Sequence, residues 1–230
     1  MKRLVYLLVV ITIFGCKKDN APKVVDGWTI LFDGSDYNQW RGFQKDEVPQ
    51  EWSIENGAMV YTPSNEGGKT IITKKKYTNF VLSLEWKIGK GGNSGIFWGV
   101  SNEDKYSVAY QTGLEVQVRD NEIAPDTLVL PKHRAGAIFD VIAPKKDVAK
   151  AVGQWNTCVI LVDYEANNAK VTLNEELILD FPLQGQEWDE ILSQSKFRDW
   201  EGFGAYQTGF IGLQDHGNNV WYRNIKIKEL

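Results

Sequence analysis

The chain has 230 residues, of which 43% are hydrophobic and 24% are charged, and its formal net charge at pH 7 is −4. This balance is typical of a globular protein with enough apolar residues for one sizeable core. The basic residues are scattered along the chain, so the clustered positive surface of a nucleic-acid-binding protein is excluded.

The first residues have the pattern of an export signal. Lys2 and Arg3 precede an apolar run over residues 4–14, and a glycine then precedes Cys16. The run is shorter than the ~20 residues of a membrane-spanning helix and fits the apolar region of a signal peptide. A small residue before the cysteine resembles a bacterial lipoprotein signal, in which Cys16 becomes the lipidated first residue. A plain secretion signal or an uncleaved anchor is the alternative.

This pattern predicts three parts of the chain: a signal peptide over residues 1–15, a tether over residues 16–26 and one folded domain over residues 27–230. The protein is expected to be exported and anchored to the bacterial outer membrane, with the lipid as its only membrane contact. If Cys16 is lipidated, only Cys158 remains, so no internal disulfide is expected. Cys158 lies in an apolar run and is interpreted as a small core residue without a catalytic role.

Most of the chain shows the period-two alternation of β-strands. Asn56-Gly57 is the strongest short signal for a hairpin. Residues 80–88 alternate between apolar and polar, which buries one face and leaves Glu85 on the other. A glycine-rich turn over residues 89–92 then leads to a further strand over residues 93–99.

The next alternating run, residues 114–119, carries a polar face of particular interest. Its leucine and valines point to the core, and Glu115, Gln117 and Arg119 share the opposite face. The remaining predicted strands are residues 155–162 and 169–173, joined by a turn at Asn167-Asn168, and residues 210–213 and 220–228, expected to form a closing pair.

Helix is scarce in the sequence. Residues 187–195 have apolar positions at helical spacing and predict one short helix in a connection. Residues 121–150 form a long irregular stretch, and such loops are usually functional or mobile. Many short strands with regular turns predict an all-β sandwich or jelly roll.

Several motifs, in this order, are similar to those of one family of carbohydrate-active proteins. They are Leu31-Phe32-Asp33-Gly34, Trp40, Leu84-Glu85-Trp86, Gly92-Asn93-Ser94-Gly95-Ile96, Glu115-Val116-Gln117, His133-Arg134-Ala135-Gly136-Ala137, Gly212-Leu213-Gln214-Asp215-His216-Gly217 and Arg223-Asn224-Ile225. Together they resemble the 3-keto-disaccharide hydrolase domain family from about Gly27 to the end of the chain. The resemblance implies a concanavalin-like jelly-roll β-sandwich of two antiparallel sheets. An oligosaccharide or keto-sugar substrate would bind on the concave sheet.

The motifs supply the candidate site residues. The predicted catalytic residues are Glu115, His133, Glu85 and His216. The predicted substrate-binding residues are Gln117, Arg119, Asn93, Trp98, Gln214 and Asp215, and the candidate sugar platforms are Trp98, Trp40, Tyr110 and Trp221. The alternative interpretation is that these polar faces are solvated, that the aromatic residues are packing, and that Asp215 caps a turn.

The family name suggests chemistry next to a ketone, because a 3-keto group makes the proton on C2 of the sugar acidic. His133 or Glu115 would remove that proton, and Arg119, Gln117 or His216 would stabilise the enolate oxygen. The group on C1 would then leave by elimination.

Three alternatives stay open. Glu85 and Glu115 would act as acid and base in direct glycoside hydrolysis, although Gln117 stands where a second carboxylate on the same strand would be. A divalent metal held by His133, Glu115 and His216 is not supported by ligand spacing, so no cofactor is predicted. A non-catalytic glycan-binding lipoprotein would bind its glycan in a groove on the concave sheet and would not need the histidines.

Overall fold

The structure is a computed structural model that describes residues 22–64, 67–123 and 130–230. Within these residues, fourteen β-strands form one antiparallel sheet of nine strands and one of five. Buried side chains from both sheets form one hydrophobic core, so the sheets pack face to face. The prediction of an all-β sandwich of two antiparallel sheets is confirmed.

The nine-stranded sheet has the order β1-β2-β14-β7-β10-β11-β12, and β5 pairs with both β14 and β4. Its strands are β1 (Val24–Val25), β2 (Trp28–Phe32), β4 (Trp52–Glu55), β5 (Ala58–Tyr61), β7 (Phe80–Ile88), β10 (Asn156–Asp163), β11 (Asn168–Leu173), β12 (Glu176–Phe181) and β14 (Val220–Glu229). The predicted hairpin at Asn56-Gly57 joins β4 to β5.

The five-stranded sheet has the order β3-β6-β13-β8-β9. Its strands are β3 (Trp40–Gly42), β6 (Ile71–Tyr77), β8 (Asn93–Val100), β9 (Leu114–Arg119) and β13 (Gly209–Leu213). The inner faces of the two sheets meet directly at a buried hydrogen bond of 2.8 Å between Ser94 Oγ of β8 and Tyr222 Oη of β14.

The alternation predicted for residues 80–88 is present along the whole of β7, where every second residue is buried. Leu82, Leu84 and Trp86 point into the core shared by the two sheets. β9 behaves differently, because its first five residues are buried on both faces. A second layer of structure therefore covers the polar face of β9.

The expected pairing of residues 210–213 with 220–228 is wrong. β13 pairs with β6 and β8, whereas β14 pairs with β2, β5 and β7 in the other sheet. The turn after β7 crosses between sheets in the same way. Alternation shows that a strand has one buried face, but it does not show in which of two facing sheets the strand lies.

The predicted connection helix is confirmed as α1 (Gln186–Ser193). It begins after Gly185, whose φ of 86° lies outside the helical region, and it ends two residues before the predicted end. Trp188 is buried and stacks on Phe181 of β12 with 6.1 Å between ring centroids. This contact fixes the helix against the end of the nine-stranded sheet.

The described parts of the long segment 121–150 cover the exposed edge of β9. The backbone N–H of Gln117 donates to Ala137 O, that of Gly136 to Gln117 O and that of Phe139 to Glu115 O, at 2.8–3.0 Å. An uncovered edge strand would leave its backbone groups unpaired. This segment therefore covers the edge of β9, and its Phe139 side chain lines the cavity over the polar face of that strand.

The predicted signal peptide and Cys16 lie outside the described residues. β1 pairs with β2 through Val24–Thr29 and Val25–Trp28, so ordered pairing already begins within the predicted tether. None of the helices in the described part of the chain is long and apolar enough to cross a membrane.

We predict that Gly136→Ala destabilises the domain more than Gly57→Ala does. Both glycines have positive φ, 85° and 75°, so alanine is strained at either position by about 1–2 kcal/mol. A Cβ at Gly136 would also overlap Ile178 Cδ1, whereas nothing lies within 4 Å of one at Gly57. Urea unfolding of both variants measures the difference. Equal losses would show that Gly136 is not tightly packed.

Candidate active site

A cavity of about 390 Å³ opens on the outer face of the five-stranded sheet. Its size is within the range of small-molecule sites. Its lining consists of Asn93, Tyr110, Glu115, Gln117, Phe139, Lys196, Phe197, Trp200, Gln214 and His216. The fold thus brings together five of the predicted catalytic and substrate-binding residues, from β8, β9 and the segment after β13, and one predicted sugar platform, Tyr110.

Glu115 forms part of the cavity wall and is only 6% exposed. Gly95 on the neighbouring strand β8 makes room for its side chain, because a Cβ at position 95 would overlap the Glu115 carboxyl group. Gly95 is paired with Gln117 and not with Glu115, so the Glu115 side chain extends diagonally over the glycine on the neighbouring strand. The glycine in the Asn93-Ser94-Gly95 motif is therefore explained by the carboxyl group that lies over it.

Burial raises the pKa of Glu115 to about 8. The positive charges of Lys196 and Arg119 and a hydrogen bond from Gln214 act in the opposite direction and are outweighed. The carboxyl group therefore changes its protonation state close to neutral pH. That is the range in which a carboxyl group can both accept and return a proton during catalysis.

Two amide side chains complete the polar part of the wall. Gln117 Nε2 donates to Asn93 Oδ1 at 2.6 Å, which fixes both side chains. Gln214 is 7% exposed, and its Oε1 has no hydrogen-bond partner among the described residues. Buried polar atoms are almost always paired, so an unpaired acceptor in a cavity wall marks a place where a ligand hydroxyl can donate.

Lys196 is a cavity residue that the sequence did not indicate. It follows α1, and its Nζ lies 4.1 Å from the ring centroid of Phe139 and 4.9 Å from that of Phe197. Its charge also acts on the Glu115 carboxyl group. The alternation of basic and aromatic residues over 196–200 was the available signal, but nothing in the sequence places this segment above β9.

His133 does not line the cavity. Its ring packs on Phe139 with 4.7 Å between centroids, and its Nε2 lies 3.1 Å from Asp140 Oδ1. The other carboxylate oxygen of Asp140 accepts the backbone N–H of Lys196 at 2.7 Å. The geometry therefore connects His133, through Asp140, to the segment that carries Lys196.

The structure does not bring Glu85 and Glu115 together, as an acid and base pair for direct hydrolysis would require. Glu85 lies on the outer face of the nine-stranded sheet, on the opposite side of the sandwich. It accepts hydrogen bonds from Arg223 at 2.7 and 2.9 Å and from Asn224 at 2.7 Å. Burial raises the pKa of Glu85, but these partners outweigh it and hold the pKa below its usual value.

Three of the four aromatic platform candidates are placed elsewhere. Trp98 and Trp40 are each 1% exposed and belong to the core between the sheets, so the expectation that they bind sugar is wrong. Trp221 lies on the outer face of the other sheet beneath Lys87 Nζ. Tyr110 does line the cavity. Its ring centroid lies 6.2 Å from that of Trp200, a cavity residue that the sequence did not indicate.

Asp215 and Arg119 are at the margins of the site. The carboxylate of Asp215 accepts the backbone N–H of Lys69 at 2.7 Å and the Thr70 hydroxyl at 2.5 Å. Asp215 therefore holds the segment that carries His216 against residues 69–70, a structural contact with a distant segment and not a cap of its own turn. Arg119 is outside the cavity lining, and its positive charge opposes the rise in the pKa of Glu115.

Within the part of the chain that the structure describes, no three His, Cys, Asp or Glu side chains converge as a metal site would require. Cys158 is buried in the core, where burial raises the pKa of its thiol to about 12.

The fold is a two-sheet β-sandwich with a cavity of small-molecule size on one outer face. The family described as the 3-keto-alpha-glucoside-1,2-lyase-like domain matches residues 27–228. A curated 3-keto-disaccharide hydrolase from Bacteroides thetaiotaomicron is 36% identical over 235 residues, covering 91% of this chain and 80% of the relative. The chain therefore belongs to the 3-keto-alpha-glucoside-1,2-lyase-like family.

Solved structures agree with this assignment. A candidate glycosyl hydrolase from Parabacteroides distasonis is 29% identical with a TM-score of 0.80, covering 89% of this chain and 94% of that one. A carbohydrate-binding module from Bacillus subtilis shares the fold alone, at 10% identity and a TM-score of 0.52 over 83% of this chain and 96% of the module. The jelly-roll prediction is confirmed, and the chain stands among carbohydrate-cleaving hydrolases.

We predict that Glu115→Gln changes the pH dependence of stability. The unfolded chain ionises Glu115 near the ordinary value of 4.5, whereas the folded chain does so at about 8. Between these values the folded state keeps a proton that the unfolded state loses, so the wild type loses stability as pH rises. Glutamine cannot ionise, so the free energy of unfolding of the variant should rise relative to that of the wild type by about 1.4 kcal/mol for each pH unit between these two values.

Urea unfolding at pH 4, 6 and 9 measures this gap. Glu85→Gln is the matched control with the opposite sign, because the pKa of Glu85 is lowered in the folded state and its ionised form contributes stability above the unfolded value. Parallel stability curves for the wild type and Glu115→Gln would contradict the raised pKa.

Proposed function

We propose that this protein cleaves the glycosidic bond of 3-keto-glycosides by removing the proton from C2, with Glu115 as the base. The observation that carries the proposal is a single buried carboxyl group with a pKa of about 8 in the wall of the cavity. The similarity to a relative named 3-keto-disaccharide hydrolase supports the keto-sugar as the substrate class.

A base of this strength suits the reaction. A carboxylate with a pKa near neutral is a stronger base than one with an ordinary pKa, and burial raises the pKa of Glu115 into that range. Gln117 and Asn93 are already hydrogen-bonded to each other, so their side chains are held in position, and the rest of their amide donors and acceptors can bind sugar hydroxyls. Tyr110 and Trp200 supply aromatic surface at the rim for the apolar face of the ring.

The developing negative charge falls on the C3 oxygen. When the C2–H bond breaks, its electron pair forms the C2–C3 double bond of an enolate. Lys196 is the only lysine or arginine among the described residues that line the cavity, and its ammonium group can stabilise the enolate oxygen. The enolate then re-forms the ketone as a C1–C2 double bond develops and the group on C1 leaves. His216 borders the cavity and supplies a proton to the departing oxygen. Water adds to C1 in a later step to complete hydrolysis.

A glycosidase with two carboxyl groups has less support. Among the described residues that line the cavity, Glu115 is the only one with a carboxyl group. A retaining pair needs two such groups ~5 Å apart. Glu85, the sequence candidate for the second, lies on the other side of the sandwich.

We also propose that the protein is exported and lipidated at Cys16, and the sequence pattern is the only support for this part. The outer membrane is the proposed location, with the lipid as the only membrane contact. Mass spectrometry of the mature N-terminus, with a lipid on Cys16 as the expected result, tests this part. An intact N-terminus or a cleaved, unlipidated one would contradict it.

We predict that the purified protein releases the leaving group from a 3-keto-glucoside and not from the matching unoxidised glucoside. Glu115→Gln should lower kcat by about 10²–10⁴-fold, because the base is lost while the shape of the cavity is kept. Deuterium at C2 of the substrate should slow release of the leaving group by the wild-type protein. Release of the leaving group, followed by absorbance or chromatography, measures all three results.

Glu85→Gln is the control, since it removes a carboxylate of the opposite sheet and should retain activity. Binding of either glycoside without turnover would replace the proposal with a non-catalytic glycan-binding protein. Equal cleavage of the unoxidised glycoside, with no effect of C2 deuterium, would replace it with direct hydrolysis.

A further inference from the structure

A pocket of about 370 Å³ lies on the outer face of the nine-stranded sheet, on the side of the sandwich opposite the Glu115 cavity. We call it the outer pocket. Its size is within the range of small-molecule sites. Three sequence motifs that the proposed function does not use meet at its walls, residues 31–34, 84–86 and 223–225. Its polar lining residues are Asp33, Ser83, Glu85, Thr157, Asn224 and Lys226.

We infer that the outer pocket is a non-catalytic binding site for a neutral sugar residue within a glycan chain. The site is separate from the Glu115 cavity, so the protein can hold a glycan on one face while the cavity on the other face takes its own substrate. The inference goes beyond the proposed reaction and does not depend on it.

The pocket exists because the sheet is irregular at this point. Between Arg223 and Lys226, β14 has one residue more than the facing part of β7, which runs from Glu85 to Ser83. Such a β-bulge bends the strand and redirects its side chains. Asn224 adopts a φ of 52° in the bulge, and its Nδ2 donates to Glu85 Oε1 at 2.7 Å. The bulge therefore brings the amide group of Asn224 over the outer face of β7.

The wall of the outer pocket is held in place before a ligand binds. Arg223 donates to Glu85 Oε2 at 2.7 and 2.9 Å, so both carboxylate oxygens of Glu85 accept hydrogen bonds. The guanidinium carbon of Arg223 also lies 4.0 Å from the ring centroid of Trp155. Lys226 Nζ lies 4.8 Å from the ring centroid of Trp28. A preorganised wall of this kind lowers the entropic cost of binding.

The groups that face the pocket suit a ligand without net charge. Asp33 carries a carboxylate and Lys226 an ammonium group, so a charged ligand of either sign meets a like charge. The hydroxyl groups of Ser83 and Thr157 can both donate and accept, and Asn224 Oδ1 can accept. A sugar residue carries several hydroxyl groups that donate and accept in the same way. It can therefore bind to all of these groups at once.

A metal ion is less well suited to the pocket. The lining includes the positive charge of Lys226, and the Glu85 carboxylate already accepts three hydrogen bonds. Across the described ranges 22–64, 67–123 and 130–230, no three His, Cys, Asp or Glu side chains converge on a possible metal position.

The pocket continues into a second hollow, which favours a chain over a single sugar. The hollow has a volume of about 180 Å³, and Ile30 and Asp33 line both spaces. Ser35 and Asn38 add polar groups to its lining. Two connected spaces can hold neighbouring sugar residues of one glycan, so we expect an oligosaccharide to bind more tightly than its monosaccharide.

The test is affinity electrophoresis of the full-length protein through gels that each contain one neutral polysaccharide: a glucan, a mannan, a xylan or a galactan. We expect at least one of them to retard the wild-type protein. Ser83→Trp places an indole in the outer pocket and should raise the Kd for the retarding polysaccharide at least tenfold. Urea unfolding of the same variant shows whether the domain stays folded.

Two further variants accompany Ser83→Trp. Leu177→Trp adds the same indole at a position of β12 that is 45% exposed, and it should bind the polysaccharide as the wild type does. Asn224→Gly removes the amide group without adding bulk, and glycine accepts the positive φ of this position. It should also raise the Kd, and it tests the inference if Ser83→Trp does not fold.

Retardation by none of the four polysaccharides, or equal Kd values for Ser83→Trp and the wild type, would overturn the inference. Cleavage of a 3-keto-glucoside should be the same in both proteins, because the Glu115 cavity lies on the opposite face. An equal loss of cleavage and of polysaccharide binding would also overturn it, because the two sites would then not be separate. Polysaccharide binding through the outer pocket without any cleavage of a 3-keto-glucoside would overturn the proposed function alone.

Discussion

The burial of the Glu115 carboxyl group against Gly95 is the constraint on which the site depends. An acidic group that is almost fully enclosed loses most of its hydration, so its protonated form is favoured and its pKa rises to about 8. This arrangement requires a glycine on β8, a second layer over β9 and a cation near enough to limit the rise. The three requirements are met by segments that are far apart in the chain.

The described part of the long irregular segment contributes to this second layer. Its backbone pairs with the edge of β9, and its Phe139 side chain forms part of the cavity wall. Asp140, with a φ of 61°, then joins His133 on one side to the backbone of Lys196 on the other. A motif that suggests a catalytic histidine in the sequence therefore supports the wall of the site in the structure.

Two glutamates with the same sequence pattern lie on opposite outer faces of the sandwich. Glu85 and Glu115 both occupy the polar face of a strand with clean alternation, and from the sequence they are equivalent. The structure places them on the two outer faces of the sandwich, one neutralised by Arg223 and the other enclosed. Trp98 and Trp40 show the same limit, because a tryptophan on a strand is equally suited to a core and to a sugar platform.

The sequence by itself determined the all-β class, most of the strand positions, the connection helix and the polar face of β9, because alternation and turn residues act over a few neighbouring positions. The family motifs added Asn93, Gln117, Gln214 and His216 to the candidate site. Only the tertiary structure decided which sheet each strand joins, that Lys196 and Trp200 complete the cavity, and that Glu85 is excluded from it. These outcomes depend on packing between segments distant in the chain, which no local pattern encodes.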